Sequence, residues 1–139
     1  MEKTSMRKKF AQIIIASFSS GFLMWVVAGL WHNLILPSVN DKIEAHHEGL
    51  GVMLVSYIIL AMLMTFFFIT SKKSKNTRIS EGFKIGAIIG ILWVFPHGLA
   101  MAGAHNTSIV YEIKNGIWHI VEQGIGGIII ALIVGKSND

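Results

Sequence analysis

The sequence predicts an all-α membrane protein, an antiparallel up-down-up-down bundle of four transmembrane helices. Three observations carry that expectation. Only 14% of the 139 residues are charged and 53% are hydrophobic, whereas soluble domains carry about a quarter charged residues. The charges fall in short clusters between four long apolar runs. Lys and Arg concentrate on alternate connections, as in multi-pass membrane proteins.

Each apolar run reaches the roughly 18 residues that a helix needs to cross a hydrocarbon core of about 30 Å. Lipid offers no partner for free backbone groups, so each run is expected to be helical throughout. The first span is read as Phe10 to Leu36, closed by Pro37. It follows Lys3, Arg7, Lys8 and Lys9, a pattern like the start of a signal peptide. Its apolar stretch is longer than a signal peptide's and lacks a small-x-small cleavage site, so a retained helix is expected. The second span is Leu50 to Thr70, the third Phe83 to Ala104 and the fourth Ile117 to Val134. Connections of about 10 to 14 residues place sequential helices side by side in opposite directions. The whole chain, 1–139, then forms one domain.

Ten basic residues lie on one side: Lys3, Arg7, Lys8, Lys9, Lys72, Lys73, Lys75, Arg78, Lys84 and Lys136. Lys42 and Lys114 lie on the other. The positive-inside rule therefore puts both termini and the middle connection in the cytoplasm of a cell bounded by a cytoplasmic (inner) membrane. The net charge of +4 follows from these flanking clusters and gives no reason to expect nucleic acid. With no Cys, disulfides and thiolate ligands are excluded.

On this topology all six histidines fall on the outer side. His32 closes the first span, His46 and His47 precede the second, His97 and His105 lie late in the third, and His119 opens the fourth. Glu122 follows His119 at i+3, on the same helix face. Ionisable groups at membrane depth are costly and normally face a bundle interior or wet cavity. His97 and Glu122 fit that description, and Pro96 is expected to kink the third helix and turn His97 inward. His97, Met101 and His105 share one face at spacing four.

Three readings of this layer follow. The first is interfacial decoration, with Trp31 and Trp118 as members of an aromatic belt facing lipid. The second is a transition-metal site (Cu, Fe or Zn) or a b-type haem. Candidate metal ligands are His32, His47, His97, His119 and Glu122, and candidate haem-binding residues are His32, His97 and His119. Imidazole suits all three metals, and Glu44-x-x-His47 and His119-x-x-Glu122 echo the Glu/His pairs of metal-binding bundles. Gly29, Gly49, Gly51, Gly98, Gly103 and Gly124 offer room for a macrocycle, and the thioether of Met101 would suit Cu(I). The third reading is a transporter of protons or a small substrate, opposed by the scarcity of polar groups in the inner half. A role as accessory subunit of a membrane complex, or as a homodimer, is the remaining alternative. No nucleophile triad, phosphate loop or zincin motif suggests a particular enzyme.

Small residues mark expected helix contacts. Gly82, Gly86 and Gly90 form one ridge and Gly127, Ala131 and Gly135 another, so the third and fourth helices are expected to pack closely at the cytoplasmic end and splay at the outer end.

Asn115-Gly116-Ile117-Trp118-His119-Ile120-Val121, the late-helix Gly29-Leu30-Trp31 and the Gly-rich opening from Glu81-Gly82 to Gly90 resemble a group of small bacterial four-helix integral membrane proteins of unknown function. The resemblance implies the four-helix architecture and no activity. His46, His47 and His97 lie outside its pattern.

Overall fold

The computed structural model describes residues 2–35, 47–71, 79–105 and 108–135, without the side chains of 2–5, 33, 35, 47 and 48. The described residues are helical almost throughout. Helix α1 covers Glu2–Leu30 and runs on into a π-helical turn, Trp31–Ile35. Helices α2, α3 and α4 cover His47–Ser71, Ile79–His105 and Ile109–Val134. All four are long and apolar enough to cross a membrane. Large apolar side chains cover their outer faces, Phe22, Val52, Phe66, Leu92 and Ile117 among them. A surface of that kind suits a lipid bilayer rather than water.

The helices are longer than their apolar runs. α4 starts eight residues before the expected Ile117, at Ile109. The reason is local: Ser108 caps it, accepting a hydrogen bond from the Tyr111 amide at 3.4 Å, and Glu112 sits in its first turn, where the helix dipole favours an acid. His119 consequently lies ten residues into the helix, about 15 Å along its axis. The expected position at the helix start is corrected accordingly.

α4 is the centre of the packing. It lies along α3 over most of its length and also packs on α1, which in turn holds α2. α2 touches α3 and α4 only sparingly. The α3 stripe Gly82, Gly86, Gly90, Val94, Gly98 and Ala102 is buried at every fourth position. A Cβ at Gly82 would strike the Gly127 carbonyl and Ala131, and one at Gly86 the Gln123 carbonyl. The expected ridge-to-ridge contact is present, but its partners on α4 shift toward His119. At Gly135 the nearest atoms to an added Cβ belong to Ala131 of the same helix. Nor do α3 and α4 splay: Gly98 lies against Glu112 and Gly116 against the Phe95 ring. Small residues continue along the whole contact, so the backbones never need to part.

Met24, Ala61, Met64, Phe68, Ile130 and Ala131 form the core shared by α1, α2 and α4. Gly21 lets α1 approach the backbone of Tyr57 and Ile58 on α2. Two buried polar contacts pin α1. The Ser17 and Thr65 hydroxyls meet at 3.1 Å, with Thr65 donating to the Ala61 carbonyl, and Ser20 donates to the Gly126 carbonyl at 3.0 Å. Hydroxyls that bond neighbouring backbone carry little cost in an apolar interior.

Candidate functional site

The site is built on one turn of α4. His119 and Glu122, three residues apart, project from the same face, and His119 Nδ1 lies 3.4 Å from Glu122 Oε1. The Glu122 side chain is 0% exposed and that of His119 14%, so a potential charge pair sits inside the apolar bundle. A carboxylate and an imidazole at this separation can hold one shared proton, staying neutral as a pair whichever partner carries it. Gln123, also fully buried, follows directly. Glycine on α3 makes room for this turn: a Cβ at Gly90 would stand 3.1 Å from the His119 carbonyl and 3.2 Å from Gln123 Oε1.

Two further elements complete the polar group. The indoles of Trp31 and Trp118 stack with centroids 4.3 Å apart and planes 5° from parallel. They face each other, and each remains partly exposed. The stack docks the π-helical turn on α4 and brings His32 within electrostatic reach of His119 and Glu122. π turns recur at functional sites because they re-aim side chains. From α2, the Tyr57 hydroxyl approaches the Glu122 carboxylate, although neither carboxylate oxygen has a hydrogen bond of ordinary geometry. The same is true of both amide atoms of Gln123, of His119 Nδ1, and of the indole nitrogens of Trp31 and Trp118. Buried polar atoms without partners are uncommon and call for an explanation.

Beside this group lies a cavity of about 650 Å³ between α2 and α3. His32, Ser56, Tyr57, His119 and Gln123 are its polar lining, while Met53, Ile59, Leu60, Leu63, Phe67, Ile89 and Trp93 make up the apolar rest. Met53, Leu63, Phe67 and Trp93 are also exposed on the outer surface, so the cavity opens on the flank of the bundle. Its existence follows from the packing: α2 is held by α1 and leaves α3 almost untouched.

Of the residues expected to form the site, His32, His119 and Glu122 come together. His97 does not join them. α3 runs through Pro96 as a helix, and His97 remains exposed, its ring stacked 5.5 Å from that of Trp93. Met101 and His105, on the same face, are exposed too. The neighbouring stripe through Gly98 and Ala102 takes the buried position because it allows the closer approach. His47 opens α2, but its side chain, like His46, Asp41 and Glu44, lies outside the described residues. Among the described residues no group of three or more His, Asp or Glu is arranged to hold a metal ion. The glycines expected to clear space for a macrocycle do not surround one gap. A Cβ at Gly98 or Gly124 would meet Glu112 or Phe83, whereas one at Gly29, Gly49, Gly51 or Gly103 would meet no described atom within 4 Å.

Tyr57, Gln123 and the π-helical turn were not anticipated. Gln123 carried a signal, as an amide beside an acid within an apolar span. Tyr57 carried less, because a tyrosine is tolerated on many membrane helices. Compared with protein-family models, curated proteins and solved structures, the chain matches none.

Proposed function

We propose that this chain spans the cytoplasmic membrane as an antiparallel up-and-down bundle, with its termini cytoplasmic and its histidines toward the outer leaflet. There it takes up a small lipid-soluble molecule through the gap between α2 and α3. The His119–Glu122 pair exchanges a proton with the polar head of that molecule. The carrying observation is the flank-opening, mostly apolar cavity that His32, Tyr57, His119 and Gln123 also line, backed by a fully buried carboxylate. Ligand sites are typically apolar clefts with a few convergent polar groups. Ionisable groups at membrane depth usually mark function. Glu122 sets the ring orientation of His119, leaving its other nitrogen for a guest.

The test is organic extraction of protein purified in nanodiscs, with mass spectrometry of the extract. A lipophile enriched with the native chain and depleted from the His119→Ala and Glu122→Gln variants is the expected result. Equal enrichment in all three would overturn the reading.

A transition metal or haem remains the second reading, favoured by one observation: two imidazoles, His32 and His119, and the Glu122 carboxylate share a layer. Elemental analysis and an absorption spectrum separate the two. Stoichiometric Cu, Fe or Zn, or a Soret band, would replace the lipophile with a cofactor.

A further inference from the structure

The shape and chemistry of the cleft narrow its guest. We infer that it holds a lipid quinone or the corresponding hydroquinone, ring against His119 and Gln123 and tail along α2. The inference rests on the cleft being a ligand site, as proposed above.

Shape comes first. Along α2 the lining runs from Met53 to Phe67, a stretch of about 21 Å of helix. On α2 the polar lining, Ser56 and Tyr57, stands within about a turn of Met53, and from Ile59 to Phe67 the lining is apolar. The guest is therefore elongated, with one polar head and one hydrocarbon tail.

Charge comes second. Among the described residues no Lys, Arg, Asp or Glu lines the cleft. An anionic head would meet no fixed cation there, only the imidazoles of His32 and His119. A cationic head would lack a counter-ion on the wall, because Glu122 is sealed at 0% exposure behind the groups that do line it. Desolvating an unpaired charge is costly, so the head is neutral.

Hydrogen bonding comes third. Gln123 is fully buried, lines the cleft, and has neither its amide oxygen nor its amide nitrogen paired. Carboxamide, imidazole and phenol each donate and accept. Quinone oxygens accept, whereas hydroquinone hydroxyls also donate, and the trio Tyr57, His119 and Gln123 serves both forms. A plain alcohol or ester would leave most of this capacity unused. Trp93 supplies a flat aromatic wall against which a planar ring can stack.

The probe is a decyl-substituted benzoquinone, measured by absorbance as the amount retained by protein-loaded nanodiscs beyond protein-free discs of the same lipid. Saturable retention is expected, with the hydroquinone competing within about tenfold and neither decanoate nor decylamine competing. Gln123→Leu should weaken retention about tenfold, the equivalent of one buried hydrogen bond. Leu63→Phe, which narrows the trough at a surface position, should weaken it as well and guards against misfolding of the core variant. Competition by decanoate or decylamine as strong as by the hydroquinone would overturn the quinone assignment and leave the cleft a ligand site of another class. Unchanged retention in both variants would overturn it too. A protein that retains none of these probes would overturn the ligand-site reading with it.

Discussion

His119 Nδ1 stands 3.4 Å from Glu122 Oε1, and among the described residues neither carboxylate oxygen has a hydrogen bond of ordinary geometry. Each partner is thus the other's main compensation for burial. Removing one is expected to cost more than removing both. His119→Ala should destabilise by about 1–3 kcal/mol, the usual penalty for a buried group left unpaired. His119→Ala with Glu122→Leu should recover most of that loss, since apolar replacement of a buried pair is often neutral or better. Thermal unfolding in detergent reads the cycle, and additive effects would mean that the pair does not interact.

The α3–α4 contact predicts two opposite outcomes from one kind of change. Gly86→Ala drives a methyl into the Gln123 carbonyl and should destabilise by about 1–3 kcal/mol through overpacking. Gly103→Ala meets nothing within 4 Å and should stabilise by up to about 1 kcal/mol through helix propensity. Urea or thermal melts of the two variants, side by side, check the contact.

The stacked indoles offer a spectroscopic handle. Trp31 and Trp118 at 4.3 Å should couple electronically and give a paired positive and negative band in circular dichroism. Trp31→Phe and Trp118→Phe should each abolish the pair, while Trp25→Phe and Trp93→Phe leave it. Loss of the stack should cost about 0.5–1.5 kcal/mol beyond the buried area.

His97 separates the arrangement described here from a four-histidine metal shell. Being exposed against Trp93, it is expected to contribute little. His97→Ala should keep whatever copurifies, metal or lipophile, whereas His119→Ala should lose it. Matched loss in both variants would return His97 to the site.

Orientation is open to direct measurement because the chain has no cysteine of its own. A single Cys at position 108 should react with an impermeant maleimide in intact cells. One at position 74 should react only after the membrane is opened. The reverse pattern would invert the topology.

The apolar runs made the four helices legible, and the spacing of Gly82, Gly86 and Gly90 made the α3–α4 contact legible. What periodicity did not reveal was which of two adjacent stripes on α3 turns inward. His97-Met101-His105 and Gly98-Ala102 are offset by one residue, about 100° of helix, and both recur every fourth position. Close packing selected the smaller stripe, so the polar one was left outside. The early start of α4 was hidden because Glu112, Lys114 and Asn115 resemble a loop in composition, although Ser108 is positioned to cap a helix. Trp31 and Trp118 meet across two helices far apart in sequence, a pairing that no local pattern encodes. The cleft itself arises from a weak contact, between α2 and α3, and weak contacts leave no motif.

The frame and the recess are made by different residues. Gly82 and Gly86 on α3 face backbone so closely that larger side chains do not fit, whereas Ile59, Leu63 and Phe67 on α2 project from an outer surface. Mutation can therefore reshape the α2 wall without disturbing the seam that holds α3 to α4. A lineage carrying this scaffold has room to exchange one guest for another by drift along α2 alone, with the architecture inherited unchanged.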